Sequence, residues 1–254
     1  PNSWVPHVDA SDHAAETAYA VFDRHRDDDF RPYVYRTDDF GKTWITITSN
    51  LPPVGYPHVI KDDPKNANLL YVGTELGIFA SFDRGASWVD LRLKLPPVAV
   101  TDLVVHPRDN DLVIATHGRG FFVLDDAAPL QELARAASDG VYLFPPPVGT
   151  RVETWDDYRY SGGQKVFSGA NSPRGTLISY YLAPEAAREA SVTIFDGKGR
   201  AVRHLKPTPH PGVNRIAWDL REEPLGADAG AEREGGEEGG RAVRAPKVVP
   251  GTYT

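Results

Sequence analysis

One turn motif occurs twice in the chain and limits what the chain can fold into. The copies, Thr37–Trp44 and Ser81–Trp88, follow one pattern: hydroxyl residue, any residue, Asp, any residue, Gly, any residue, hydroxyl residue, Trp. Glycine adopts positive φ at no steric cost, and Asp, Ser and Thr side chains hydrogen-bond to nearby backbone groups. The motif predicts a self-supporting hairpin turn with structural residues Thr37, Asp39, Gly41, Thr43 and Trp44, and then Ser81, Asp83, Gly85, Ser87 and Trp88.

The turns belong to repeated units with a period of about 40 residues. Short apolar runs at 59–62, 69–73, 78–81 and 88–91 correspond to runs at 103–106, 112–116 and 121–124 in the following unit. A first unit extends from about Trp4 to Ile47, with a longer loop between its second and third strands. This period, at four strands per repeat, is typical of β-propeller blades. We therefore predict an all-β chain in which residues 1–130 form three blades.

The third unit departs from the pattern after Leu124, where no Asp turn and no fourth strand follow. A propeller ring commonly closes by taking one strand of its last blade from the far end of the chain, and it needs at least about four blades. We therefore expect these units to be the last three blades of a longer protein whose upstream blades complete the ring.

The repeated turn resembles the Asp-box (BNR) repeat of sialidases, xyloglucanases and sortilin-type VPS10 propellers. Segments 23–26, 73–77 and 115–126 are also similar to large exported bacterial proteins with sortilin-like or glycosyl-hydrolase-like propellers. This resemblance covers roughly residues 1–130. It implies a propeller and an extracytoplasmic location, whether periplasmic, secreted or at the cell surface. Asp boxes occur in enzymes and non-enzymes alike, so the resemblance implies no single activity.

The second half of the chain has a different pattern. Residues 131–172 are predicted to be a connector that begins with a short helix at 131–137. From 173 the sequence alternates with a two-residue period, which predicts strands at 176–182, 191–195, 201–205 and 213–219. The strand sequences resemble the FlgD-type Ig-like sandwich, so we expect such a domain over 173–254. Its acidic, Gly-rich insertion at 226–245 is predicted to be disordered.

Composition excludes several classes of function. The net charge is −7 and the Lys and Arg residues are scattered, which argues against a nucleic-acid-binding surface. No apolar run approaches the length of a membrane span. The absence of Cys excludes disulfides, thiol catalysis and Cys-ligated metals. We predict no cofactor and no metal site.

Blade geometry indicates where a ligand could bind. Loops between strands two and three lie on the face opposite the Asp turns, and propellers usually offer that face to ligands. The candidates there are His25, Asp27, His117 and Arg119, with Asp23 and Glu75 as weaker catalytic candidates. Each also has a simpler interpretation as a charge on a solvated loop or as part of a turn. His7, His13 and His58 are expected to be structural histidines.

Three functional interpretations remain open, and in one of them the sandwich is a sorting or surface-attachment module while the propeller is passive. Glycoside hydrolysis needs two carboxylates about 5 Å or 6.5–9.5 Å apart, and a sialidase also needs several arginines and a Tyr–Glu pair. Asp23 and Glu75 could be so spaced, but Arg119 alone does not supply the arginines. The leading interpretation is therefore a non-catalytic exported binding or scaffold protein with a peptide or glycan ligand. The alternative is a glycoside hydrolase, xyloglucanase-like or sialidase-like, with some carboxylates in upstream blades.

Overall fold

The structure is a computed structural model that describes residues 3–92, 95–151, 173–187, 190–207, 209–224 and 245–254. Over these residues the chain is mostly antiparallel β-sheet with two short helices, which confirms the predicted all-β fold. The chain divides into two compact units, residues 1–134 and 135–254. The predicted boundaries at 130 and 172 stay a prediction, and each unit is described by itself below.

The first unit contains three consecutive antiparallel sheets in which each strand pairs with the next along the chain. The first sheet is β1 (Trp4–Ala10), β2 (Ala18–Arg24), β3 (Asp29–Thr37) and β4 (Ile45–Thr46). The second is β5 (Pro57–Asp62), β6 (Leu70–Thr74), β7 (Gly77–Ser81) and β8 (Val89–Asp90), and the third is β9 (Val100–Val105), β10 (Leu112–Thr116) and β11 (Gly120–Leu124). This is the strand order of propeller blades.

The antiparallel order gives the first unit two distinct faces. Turns between the second and third strands, at 25–28, 75–76 and 117–119, lie at the same end as the starts of β1, β5 and β9. We call this end the loop face. The Asp turns at 38–44 and 82–88 join third strands to fourth strands at the other end, which we call the turn face.

Two apolar clusters hold the sheets together. Val21 and Val34 of the first sheet pack with Ile60 and Val72 of the second, and all four are fully buried. A second cluster joins the other side of the second sheet to the third sheet; it includes Val59, Leu69, Tyr71, Leu103 and Ile114. Neighbouring strand residues such as Val59 and Ile60 thus face opposite clusters, as the two-residue period of a strand requires.

The Asp turns have the same hydrogen bonds in both copies. Asp39 accepts the Thr43 backbone N–H at 2.8 Å and the Thr43 hydroxyl at 2.7 Å, while the Thr37 hydroxyl accepts the Gly41 N–H at 2.9 Å. Asp83, Ser87, Ser81 and Gly85 repeat these contacts. The hydrogen bonds from Thr43 lower the pKa of Asp39. Hydrogen bonds from within each turn thus hold both turns, and the structural role of these residues stays a prediction.

The first sheet differs from expectation in one place. The predicted long loop between its second and third strands is only a short 3₁₀ turn at His25–Asp27, because β2 and β3 extend toward it. The pairing of β2 with β3 shifts register between Phe22 and Arg24, which leaves Asp23 in an irregular position at the end of β2. Such irregularities re-aim side chains and are common beside functional sites.

Helices α1 (Ala128–Gln131) and α2 (Leu133–Asp139) follow β11. The second unit then contains β12 (Val141–Leu143), β13 (Thr176–Leu182) and β16 (Gly212–Trp218) in one sheet, and β14 (Val192–Phe195) with β15 (Ala201–Leu205) in another. Strand β12 lies in the predicted connector but pairs with β13, so these three residues belong to the second unit's sheet. None of the described helices is long and apolar enough to cross a membrane.

The two sheets of the second unit share one apolar core. Ile178 and Trp218 of the first sheet pack with Ile194, Val202 and Leu205 of the second. In the hairpin between β14 and β15, the Gly199 N–H is bonded to the Asp196 carbonyl at 2.9 Å. The Ig-like assignment stays a prediction. The predicted disordered insertion lies outside the described residues, apart from Ala245.

Candidate binding site on the loop face

The loop face brings together side chains from three separate segments. Asp23 is the second-to-last residue of β2, His25 opens the 3₁₀ turn, Tyr56 precedes β5, His58 lies within β5, and Glu75 follows β6. The pairing of β5 with β6 shifts register between Pro57 and Val59, so His58 sits at a bulge. We call these five residues the Tyr56 cluster. It unites the two weaker catalytic candidates with His25.

Tyr56 is the centre of the cluster. The His25 ring stacks on its ring at a centroid distance of 4.8 Å and an angle of 22°, and the His58 ring meets it edge-on at 5.2 Å and 66°. Phe30 is a more distant aromatic neighbour at 6.4 Å. Aromatic contacts of this geometry stabilise beyond the area they bury, so the three rings hold one another in place.

Asp23 orients His25 and caps the turn. Its carboxylate lies 2.6 and 2.7 Å from His25 Nδ1, and it also accepts the His25 backbone N–H at 2.8 Å. In the second sheet the equivalent strand end is Thr74, whose hydroxyl accepts the Leu76 N–H at 3.1 Å. Asp23 therefore replaces a threonine cap with a carboxylate that also holds an imidazole, and only 8% of the residue is exposed.

Glu75 links the other two members of the cluster. One of its oxygens lies 2.9 Å from His58 Nε2, and the Tyr56 phenol lies beside the same carboxylate. Burial of the phenol, its interaction with the Glu75 carboxylate and the negative charge of Asp23 raise the pKa of Tyr56 to about 12. Tyr56 is therefore a protonated hydrogen-bond donor over the physiological pH range.

The other predicted loop-face residues lie apart from this contact network. His117 and Arg119 are exposed in the turn after β10, where the His117 backbone N–H binds the Ala99 carbonyl at 2.9 Å. Asp27 is exposed and lies 3.8 Å from Arg24. Across the described ranges, no group of three or more acidic or imidazole side chains is arranged to hold a metal ion.

The sequence interpretation missed Tyr56 and assigned His58 a structural role. A signal for both was present in the repeat. The matching positions before and within β9 are Ala99 and Thr101, so the second sheet has a phenol and an imidazole at the loop face where the third sheet has two smaller side chains. At the loop face, a residue that differs from the matching position of the next repeat is therefore a better indicator of the candidate site than an acidic side chain is.

Comparisons with known proteins show no matching family model and no matching curated protein. One similar solved structure is "YCF48 bound to D1 peptide", at 18% identity and TM-score 0.36, covering 50% of this chain and 37% of that one. Others are a GH74 enzyme from Niastella koreensis (12% identity, TM-score 0.40, 82% of this chain, 31% of that one) and the GH74 xyloglucanase from Xanthomonas campestris (11%, 0.37, 82% and 29%).

The chain thus spans well under two thirds of each of these structures. A peptide-bound protein and glycoside hydrolases both occur among them, and at these identities nothing decides between the two functions.

Proposed function

We propose that the protein is a non-catalytic binding or scaffold protein that holds a peptide or glycan ligand on the loop face of its first unit. The observation that carries this proposal is the Tyr56 cluster, in which an aromatic ring is held between two imidazole–carboxylate pairs. Fixed aromatic and polar groups on an exposed face suit recognition, because a ligand then binds without ordering them first.

The contacts of the carboxylates favour binding over hydrolysis. A glycosidase needs one carboxyl group to donate a proton and a second to act as nucleophile or base. Both oxygens of Asp23 contact His25, and the residue is almost fully buried. Glu75 is engaged by His58 and Tyr56. Each carboxylate therefore has a local partner that competes with its use as a proton donor or nucleophile, although Glu75 stays partly exposed.

One observation favours the alternative, a sialidase-like glycoside hydrolase. Tyr56 lies beside Glu75, and a Tyr–Glu pair is what a sialidase needs. A tyrosine nucleophile must lose its proton, however, and the surroundings of Tyr56 raise its pKa instead of lowering it. The alternative thus requires a bound substrate or other residues of the protein to lower the pKa of Tyr56.

The proposal extends to the organisation of the whole protein. The matching turn geometry supports Asp-box repeats, and we propose that they belong to a sortilin-like propeller. The shared core of the second unit supports an Ig-like domain of the FlgD type. We propose an exported protein with domain boundaries near 130 and 172, in which His117, Arg119 and Asp27 are outlying parts of the ligand face.

The test compares hydrolysis with binding. The protein is incubated with xyloglucan, sialoside and β-glucan substrates, and in parallel it is screened against peptide and glycan arrays. We expect no hydrolysis, and array binding that is lost in Tyr56→Ala. If the protein hydrolyses a substrate and this activity disappears in both Asp23→Asn and Glu75→Gln, the protein is a glycoside hydrolase and the proposed binding function is wrong. Far-UV circular dichroism of each variant controls for folding.

A further inference from the structure

Three exposed apolar side chains lie beside the Tyr56 cluster. Phe30, Val54 and Leu76 are 45%, 58% and 49% exposed. They come from three segments that meet at Gly55, which donates its N–H to the Phe30 carbonyl at 2.8 Å. The Leu76 side chain lies over Gly55, since a Cβ there would be 3.0 Å from Leu76 Cδ1. We call Phe30, Val54 and Leu76 the apolar patch.

The patch has acidic surroundings. Glu75 precedes Leu76 with 36% of its side chain exposed, and Asp27 and Asp28 are exposed in the turn that leads to Phe30. The arginines of this region have partners of their own. Arg24 pairs with Asp29 at 3.4 Å, and the Arg26 guanidinium lies 5.3 Å from the centre of the Trp4 ring.

We propose that the apolar patch and Glu75 form a docking surface for an extended peptide in which an apolar side chain stands next to a lysine or arginine. This inference rests on the proposed binding function and specifies its ligand. The apolar side chain buries against Phe30, Val54 and Leu76, and the neighbouring cation pairs with Glu75. Burial supplies most of the affinity, and the ion pair fixes register and speeds association.

A peptide suits this surface better than a glycan does. Sugars stack their apolar faces on open aromatic rings, but one face of the Tyr56 ring is already covered by His25. The exposed side chains Val54 and Leu76 are aliphatic, and they match the apolar side chains that a peptide carries and a glycan lacks. The carboxylates disfavour acidic peptides by like-charge repulsion.

The probe is a displayed library of random heptapeptides, panned against the protein and followed by synthesis of an enriched peptide. We expect enriched sequences to place Lys or Arg beside an aliphatic or aromatic residue. Affinity of the synthetic peptide should fall about tenfold or more in Leu76→Ser. It should also fall in Glu75→Gln, and this second loss should vanish when the peptide's basic residue is replaced by norleucine.

Phe40→Ser is the matched control. Phe40 is 73% exposed on the turn face, so its replacement removes a similar apolar side chain far along the strands from the patch. It should leave peptide affinity unchanged. Raising the salt concentration should weaken binding of the basic peptide and leave the norleucine peptide nearly unaffected, because salt screens exposed ion pairs.

The outcomes separate this inference from the proposed function. Enrichment of acidic or purely polar peptides, or unchanged affinity in Leu76→Ser, overturns the docking surface. The proposed function survives that result if binding is still lost in Tyr56→Ala. Binding to glycans but to no peptide, if it is lost in Tyr56→Ala, likewise overturns the docking surface and leaves the proposed function standing. Failure of every peptide and glycan to bind in a Tyr56-dependent way overturns both proposals.

Discussion

The two faces of the first unit both carry carboxylates beside hydroxyl or aromatic groups, yet they use them differently. On the turn face, Asp39 and Asp83 bind hydrogen-bond donors from within their own turns. On the loop face, Asp23 and Glu75 come from different sheets and hold imidazoles around Tyr56. Local satisfaction marks a structural turn, whereas convergence of separate segments marks a candidate site.

The two copies of the turn also differ in packing. Trp88 is 4% exposed and donates its indole N–H to the Ile47 carbonyl at 2.7 Å, so the second turn rests on the first sheet. Trp44 is 42% exposed. An identical motif therefore contributes to the core in one copy and lies at the surface in the other.

The largest expected effect is the destabilisation of the protein by Gly85→Ala. Gly85 has φ +90, and a Cβ there would lie 2.7 Å from the Ile47 side chain. Strained φ and overpacking together should lower the free energy of unfolding by about 3 kcal/mol. Urea denaturation measures it. Gly41→Ala is the control, because φ is +81 but the nearest side-chain atom lies 3.9 Å away; it should cost only about 1 kcal/mol. Equal losses would contradict the difference in packing.

The next largest effect is a pH-dependent decrease in the free energy of unfolding in Asp83→Asn. Burial raises the pKa of Asp83, but hydrogen bonds from Ser87 and Ser81 outweigh it and leave the pKa lowered. Because the pKa of Asp83 is lower in the folded state, ionised Asp83 stabilises the fold at pH values above its unfolded-state pKa of about 3.9. This stabilisation is lost as the pH falls through the folded-state pKa. We expect the variant to lose roughly 1 kcal/mol at neutral pH.

Urea midpoints of wild type and Asp83→Asn at pH 7 and pH 3 measure this dependence, and the difference between them should shrink at the lower pH. Asp39→Asn should change in the same direction, since the pKa of Asp39 is lowered by the corresponding contacts. A difference that grows toward pH 3 would mean that these carboxylates are not held as anions by their turns.

A smaller and more local effect is expected on the loop face. Glu75→Gln removes a negative charge from beside the Tyr56 hydroxyl, so the pKa of Tyr56 should fall from about 12 toward the ordinary value. Stability should hardly change, because Glu75 is partly exposed. Ultraviolet titration of the phenolate, with Tyr56→Phe to identify its share of the signal, measures the shift. If the pKa of Tyr56 is the same in Glu75→Gln as in wild type, Glu75 does not interact with the Tyr56 phenol.

The smallest effect is expected for Asp27→Asn. Asp27 is exposed on the loop face, and its 3.8 Å separation from Arg24 contributes little in water. Stability should stay within about 0.5 kcal/mol of wild type, and Tyr56 should titrate as before. A large change in either measurement would extend the cluster to this turn.

Much of the fold could be predicted from the sequence because its signals are local. Turn residues such as Asp39 and Gly41 act on the backbone of their own turn. The two-residue alternation of apolar side chains predicts strands at 176–182 and 201–205, and the structure has β13 and β15 at these positions. The candidate site could be predicted only in part. Loop order placed Asp23, His25 and Glu75 on one face, but their partners Tyr56 and His58 were assigned no functional role.

The sequence by itself determined the repeat, the self-bonded turns and the face on which Asp23 and Glu75 lie, because each depends on residues close together in the chain. Tertiary structure decided that the His25 and His58 rings meet at Tyr56, and that Trp88 is buried while Trp44 is exposed. Those outcomes depend on the bulge at His58 and on the packing of neighbouring sheets, which join residues distant in sequence.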